Sequence, residues 1–547
     1  MLSSAHKNYF YDILFLTFFL SVLFFVFLGE RPLSIPDEGN YAEIAREMFT
    51  SKDYFTPYLN GIKFFEKPVL LYWLGVGVAK IFGLNIWSLR AVNALLAVLG
   101  CLFTYFTAKK LYDRKTGIIA ACVLATSMLY FILAHMYTMD LTITVFMEIT
   151  LFSFILGVTH PKQQFFYFII AAISTGFAVL AKGLMGIVLP LMIIGLWLSI
   201  FRAWKLLKLK EIITCVSIFL MITLPWHLVV AWLNPEFLHF YFMDHHFSRF
   251  SSGEVGHLRP FWYYLPVLLM GLFPWVVFLP NAIIQSLPVS ARQLPDKKIS
   301  LFFSLYAISI FLFFSISKAK LIPYILPIFP PLAIVLSVYL KNTVNLKKNY
   351  LALSVFSVIF MVGGVAFTKY WEVADLVSTH LFLSMACIVA LTGSLIGYFF
   401  AAKKPFYSIL STIIMGGILG ILSILIIPKM DRLTIYPLTQ ILKPILTIED
   451  EVIAFNHHYQ DLSFYLARKV DILNSRKLFA FGMQHQKAHA WMIEDVDLTK
   501  LWESSKRVFA IMDKEQYENL PARYQHLTFY LWGQTSKNVL VSNVALV

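Results

Sequence analysis

About thirteen apolar runs of some 18 or more residues recur between residue 10 and about residue 428. A run of that length matches the hydrocarbon thickness of a bilayer, so this recurrence limits the chain to a polytopic helical membrane protein. The runs lie at roughly 10–28, 88–108, 116–134, 140–158, 164–181, 183–201, 211–231, 261–283, 299–316, 321–340, 349–368, 379–400 and 405–427. Only 14% of the 547 residues are charged, against roughly 25% in soluble domains, which excludes a soluble globular class. The first run lacks a small-residue cleavage pattern, since GERP (29–32) is a poor one, and reads as a retained span. The stretch 68–83 is apolar but short and reads as a helix lying at the interface.

The formal net charge of +14 is unevenly placed. Alternate loops, at 109–115, 159–164, 201–211, 290–298, 341–349 and 401–405, are basic and nearly free of carboxylates. By the positive-inside rule they face the cytoplasm. The other set, at 34–68, 135–140, 181–183, 234–260, 317–320 and 368–380, holds nearly all the carboxylates and histidines of the membrane half and faces outward. Much of the basic excess is therefore topological, and no nucleic-acid partner is expected. With an odd number of spans and the N-terminus inside, residues after about 428 lie outside. That segment is richer in charge; DEVIAFNHHYQDLSFYLARKVDIL alternates short β-like runs with a helical pattern, and RVFAIM and LTFYLWG read as further strands. The expected architecture is mainly α: a transmembrane domain over 1–429 with outward interfacial helices, and a small outer α/β domain over 430–547.

The four cysteines, Cys101, Cys122, Cys215 and Cys387, lie in or beside apolar runs without CxxC spacing. They support neither a disulfide framework nor a thiolate metal site.

Charge inside a bilayer is costly, so ionisable groups collect in loops and wet cavities. The densest charge follows the first span: SIPDEGNYAEIAREMFTSKDYFTPYLNGIKFFEKP (34–68). Asp37 and Glu38 open a helical pattern there, where acids also suit the helix dipole. Glu38, Glu43, Arg46 and Glu47 fit a structural role as well as a functional one. Asp140 stands at the outer lip of the fourth run. Lys182 sits between two apolar runs, and Lys318 and Lys320 lie outward, against the charge trend, beside Tyr324. With Lys67, Arg249 and Arg259 they form an outward cationic set suited to phosphate. His245, His246 and His257 with Glu66 offer metal-ligand types. No HExxH or comparable spacing accompanies them, and zinc needs three or four placed ligands. Plain polar loop contacts are the favoured account. No Gly-rich phosphate loop or nucleophile elbow stands in a credible context, so a nucleotide donor bound from the cytoplasm is not expected.

PDEGNYAEIAREM, FFEKP, MYTMDLTITVF, AKG, LPWHLV, HFSRF, RPFWYYLPVLLMGLFPW and SKAKLIPYILPIFPPLA resemble, in order, the pattern of bacterial lipid A 4-amino-4-deoxy-L-arabinose transferases. These belong to the wider protein-mannosyltransferase-like GT-C glycosyltransferases. The resemblance implies an inner-membrane enzyme, tied to polymyxin resistance, with its site facing the periplasm. Such an enzyme transfers an amino sugar, with inversion, from undecaprenyl phosphate to a lipid A phosphate. It implies Asp37, Asp140 and Lys67 as catalytic, and Tyr41, Lys182, Arg249, Lys318, Lys320 and Tyr324 around the donor phosphate. A metal, zinc if one is present, would map to Glu66 and His246. A monomer is expected. Asn40 stands where the family often has Arg, and Phe64 where it often has Tyr, so the transferred sugar is left open. A polyprenyl-phosphate-dependent protein O-glycosyltransferase is the alternative within the class. A lipid transporter or flippase is the alternative outside it, against which stand the missing repeat and the one-sided polar groups.

Overall fold

The structure, a computed structural model, describes residues 4–241, 258–370, 373, 375–486 and 490–546. Among these, eight helices are long and apolar enough to cross a membrane, and ten if each of two bent pairs counts as one span. This is a multi-pass membrane protein of fewer length-qualified spans than the apolar runs suggest. Tyr9–Phe25 and Met185–Ile200 are apolar helices below the length of the others. The run at 116–134 is broken into Arg114–Ala125 and Met128–Ala134, bent by 67°, and that at 261–283 into Phe261–Gly271 and Trp275–Ser286, bent by 109°. The two breaks meet: Trp275 Nε1 donates to Thr126 Oγ1 at 3.0 Å, and Met128 N to Phe273 O at 3.3 Å. Backbone groups released by a break are thereby satisfied within protein, as the hydrocarbon region demands.

Burial separates the spans. Met139–Thr159 is 89% buried along its apolar window and lies at the centre, whereas Leu209–Leu233 is 11% buried and faces lipid. The central helix carries Asp140 at its first turn.

The basic loops gather at one end of the bundle. Lys110 Nζ donates to Gln163 Oε1 at 2.9 Å, and Gln164 Nε2 to Leu206 O at 2.7 Å. Lys341 pairs with Asp113, Leu346 N donates to Ala401 O at 3.2 Å, and Trp197 Nε1 to Lys298 O at 3.3 Å. Five of the six segments singled out by charge are joined by these contacts, and Lys298 of the sixth places its ammonium 5.6 Å from the centre of the Phe201 ring.

At the other end the segment 34–68 folds over the bundle. The helix Asp37–Ser51 begins directly after Pro36 and ends at Lys52 in the left-handed region (φ 61°). A hairpin follows, β1 (Tyr58–Leu59) and β2 (Ile62–Lys63), turned at Asn60 and Gly61 with φ 50° and 75°. Asn–Gly is the pair that tolerates two positive φ values. The helix Leu70–Phe82 has 13 residues, which at about 1.5 Å each is too short to span.

Beyond Met430 the chain forms a six-stranded sheet: β3 (Glu451–Phe455), β4 (Asp471–Leu473), β5 (Met492–Ile493), β6 (Val508–Asp513), β7 (Tyr530–Gln534) and β8 (Asn538–Ser542). Its order is β5-β4-β3-β6-β8-β7, parallel through β5, β4, β3 and β6 and antiparallel at β8 and β7. Residues alternate sides along the central strands. Val452, Ala454, Phe509 and Ile511 join the core shared with the membrane half, while Ile453, Phe455, Val508 and Ala510 pack against Trp502, Leu520 and Tyr524. One sheet face is therefore committed to the rest of the protein.

That docking is specific. Asn60 Nδ2 donates to Val470 O at 2.8 Å, and Asn60 Oδ1 accepts from Val470 N and Ser463 Oγ, each at 3.0 Å. Leu33 N donates to Tyr465 Oη at 2.8 Å, and Trp491 Nε1 to Asn60 O at 2.9 Å. The β1–β2 turn is thus held by side chains 400 residues away in sequence, which also buries its backbone groups without leaving them unpaired.

Candidate functional site

A cavity of about 380 Å³ opens at the end of the bundle opposite the basic loops. It forms where five segments of the membrane half meet, with the C-terminal segment closing one side. The helix Asp37–Ser51 contributes Asp37, Asn40 and Tyr41, and the FFEKP loop Phe64, Glu66, Lys67 and Pro68. Asp140 comes from the central helix and Lys182 from the end of the next one. Ser317, Ala319, Lys320 and Tyr324 come from the segment before Phe329. Met185, Phe313, Phe314, Leu321 and Leu478 complete an apolar part of the wall. The cavity therefore offers carboxylates, ammonium groups and grease together, which suits a phosphate-bearing lipid.

Two neighbouring acids have separate fates. Glu38 points into protein: Arg90 Nε and Nη2 donate to its two oxygens at 2.7 and 2.9 Å, and Arg31 Nη1 lies 3.2 Å away. Ser34 N and Tyr137 N also donate to it. Burial alone raises the Glu38 carboxyl, but Arg31 and Arg90 overcome this and hold it at about 2. Glu43 is likewise committed, accepting from Arg46 Nε at 2.6 Å and Nη2 at 2.7 Å, and Glu47 accepts from Gly61 N at 2.8 Å. These three acids hold the fold, while Asp37 lines the cavity.

Asp140 is paired with Lys182, and the Lys182 ammonium lies 4.6 Å from the centre of the Tyr324 ring. Lys320 is drawn toward Ser317 O and donates to Arg259 O at 3.3 Å, and burial lowers its pKa. Tyr41 is buried against Tyr72, ring centres 6.3 Å apart, and burial together with Asp37 keeps its hydroxyl protonated.

Of the residues expected from sequence, Asp37, Tyr41, Glu66, Lys67, Asp140, Lys182, Lys320 and Tyr324 share this cavity. Lys318 is exposed and outside its lining; its carbonyl accepts from Arg259 N at 3.4 Å. Arg249 and His246 lie outside the described residues. Among the described residues no group of three or more His, Cys, Asp or Glu comes together. Of the expected metal pair, Glu66 lines the cavity, and His246 lies outside the described residues.

Four contributing residues were missed by the sequence reading. Arg31 and Arg90 hold Glu38, and Gln460 and Leu478 reach the cavity from the C-terminal segment. The polar run NHHYQD (456–461) between apolar stretches was the signal for Gln460. Asn40 and Phe64, where this chain departs from the expected pattern, both line the cavity, and Asn40 Oδ1 accepts from His458 Nε2 at 3.3 Å.

Residues 66–229 match the model described as dolichyl-phosphate-mannose-protein mannosyltransferase, and residues 438–543 that of the aminoarabinose transferase C-terminal domain. The chain is 32% identical over 358 residues to the undecaprenyl phosphate-α-4-amino-4-deoxy-L-arabinose arabinosyl transferase of Edwardsiella ictaluri, covering 64% of each protein. It is 31% identical over 389 residues to that of Enterobacter sp., covering 69% of each. The alignment thus spans about two thirds of the curated relatives' length. Among solved structures it is similar to ArnT from Cupriavidus metallidurans bound to undecaprenyl phosphate, with TM-score 0.87 and 25% identity over 97% of this chain and 98% of that one. An oligosaccharyltransferase from Archaeoglobus fulgidus, at TM-score 0.52 and 13% identity, covers 98% of this chain and 75% of that one and shares the fold alone. By its sequence and by the whole of its architecture, the chain belongs to the undecaprenyl phosphate-α-4-amino-4-deoxy-L-arabinose arabinosyl transferase family.

Proposed function

We propose that this protein is an inverting glycosyltransferase that moves an amino sugar from undecaprenyl phosphate to a phosphate of lipid A. The observation that carries this reading is the convergence of Asp37, Lys67, Asp140, Lys182 and Lys320 on one cavity with an apolar flank. The relatives named for an undecaprenyl-phosphate-linked donor support the donor class, and the likeness to a chain bound to undecaprenyl phosphate supports its seat.

In this mechanism an acceptor phosphate oxygen attacks the anomeric carbon from the face opposite the leaving group. The bond from that carbon to the undecaprenyl phosphate oxygen breaks, and the lipid phosphate departs with the electron pair. Lys67, supported by Lys320, stabilises the charge developing on it in a partly dry site. The acceptor is already anionic, so no strong base is needed. Asp37 orients the reacting sugar, and Asp140, held by Lys182, fixes the opposite polar group. Asp37, Asp140 and Lys67 are thus the catalytic set, with Tyr41, Lys182 and Tyr324 shaping the donor site. Arg249 and Lys318 belong to the wider outward cationic set, and Glu66 shapes the loop that carries Lys67. No step runs through a metal.

The basic loops at the far end of the bundle support an orientation in which the cavity opens to the periplasm of the bacterial inner membrane. Residues 1–429 act as the transmembrane catalytic domain and 430–547 as an outer α/β domain. In this reading the protein acts as a monomer.

The test is mass spectrometry of lipid A from cells with and without the protein. A mass increase of one amino sugar that disappears with Asp37→Asn is expected. Unchanged lipid A beside newly glycosylated protein overturns the acceptor in favour of protein hydroxyls, where Asp37 would serve as general base.

A further inference from the structure

The C-terminal segment does more than cover the membrane half: it builds part of the cavity wall. The loop 456–461 lies against the first turns of the helix Asp37–Ser51, at Gly39. A methyl group at Gly39 would stand 2.9 Å from the Gln460 carbonyl carbon and 3.0 Å from Asp461 N, so the two backbones touch only because residue 39 has no side chain. On one side of this contact His458 Nε2 donates to Asn40 Oδ1 at 3.3 Å. Beyond it, Ser463 and Tyr465 are bonded to Asn60 and to Leu33 N. The loop is therefore clamped from both sides, and Gln460 reaches the cavity from a rigid support.

Among the described residues Gln460 Oε1 has no hydrogen-bond partner, though it is shielded from bulk water. A shielded amide oxygen without a partner is costly unless something else satisfies it. Its neighbours in the wall decide what that is. Asp37, on the adjoining helix, supplies carboxylate oxygens, and the Asn40 oxygen beside it is taken by His458, whereas the ammonium groups of Lys67, Lys182 and Lys320 come from other segments. A carboxylate beside Gln460 repels phosphate and takes hydroxyl or ammonium donors.

We infer that Gln460 is a specificity residue of the cavity, its side-chain amide hydrogen-bonding a hydroxyl or amino substituent of the donor's sugar. This rests on the proposed function. It gives the C-terminal domain a direct part in reading the sugar, on the same wall where Asn40 departs from the family pattern. His458, bonded to Asn40, ties the loop that carries Gln460 to that position.

The experiment uses the purified full chain with lipid A and a synthetic undecaprenyl-phosphate-linked amino sugar, beside undecaprenyl phosphate without sugar as a binding probe. Q460L removes the amide at similar volume, and Q460E keeps an acceptor oxygen. Expected for Q460L is a fall of about tenfold in kcat/KM for the sugar-bearing donor, with Kd for the bare lipid phosphate within about twofold of wild type. Q460E is expected to lie closer to wild type than Q460L. Unchanged kcat/KM in Q460L overturns the assignment, and so does an equal loss for both ligands, which marks a wall residue with no contact to sugar. Absence of turnover by the wild-type chain overturns the proposed function, and this inference with it; wild-type turnover with an indifferent Q460L overturns the Gln460 role alone.

Discussion

Arg90 grips Glu38 through two of its nitrogens, at 2.7 and 2.9 Å, with both side chains fully buried. The remaining guanidinium contacts, to the carbonyls of Leu28, Arg31 and Pro32, clamp the turn that leads from the first helix into the helix Asp37–Ser51. One carboxylate of the adjacent pair is thus spent on orientation, and the other is aimed at the cavity.

Removing either kind of acid has a separable outcome. Arg90→Ala leaves Glu38 buried beside Arg31 alone and is expected to cost about 3–5 kcal/mol of stability, visible as a lowered unfolding temperature in detergent. Asp37→Asn is expected to leave that temperature within a few degrees while lowering transfer by about 100-fold. Loss of stability in Asp37→Asn, with Arg90→Ala unaffected, would reverse the two roles.

Asp140 and Lys182 act as one unit. Each of Asp140→Asn and Lys182→Met is expected to lower kcat/KM strongly, and the double variant to be little worse than the weaker single one. Groups in direct contact are non-additive in this way. A double variant whose loss equals the product of the two single losses, in a steady-state assay, argues that the pair is not coupled in the reaction.

Gly39→Ala places a methyl group against the Gln460 carbonyl carbon at 2.9 Å. Overpacking of this kind costs about 1–3 kcal/mol, and here it pushes the loop 456–461 off the helix Asp37–Ser51. Lower transfer together with faster limited proteolysis of the C-terminal segment is expected. Wild-type proteolysis would show that the loop yields without strain.

Asp461 is fully buried, and among the described residues neither carboxylate oxygen has a hydrogen-bond partner. Burial, with a smaller push from Asp431, raises its pKa from 3.8 to about 7. Between those values the unfolded chain has lost the proton that the folded chain keeps, so stability falls as pH rises through that window and levels off above it. Asp461→Asn removes this burden. It is expected to raise the unfolding temperature at pH 8 clearly, and at pH 4 hardly at all. An equal shift at both pH values in a thermal scan would rule out titration as the cause.

Much of this protein is readable along its sequence. Apolar length locates candidate spans because no bilayer-crossing helix forms without it, though it does not reveal the breaks that bend two of them by 67° and 109°, and the asymmetry of Lys and Arg sorts the loops into two ends before any packing is considered. The candidate site is readable to the degree that charge in a greasy chain has few places to go: Asp37, Lys67, Asp140, Lys182 and Lys320 stand out for that reason. Tertiary structure alone decided which of two adjacent acids, Asp37 or Glu38, faces the cavity, since the answer depends on Arg90, 52 residues further along. It alone decided that Gln460 belongs to the wall, because a half-buried polar loop carries no trace in its own sequence of the glycine, over 400 residues earlier, that admits it. Spans follow from the local free energy of transfer into lipid, whereas cavity walls follow from which distant surfaces fit together.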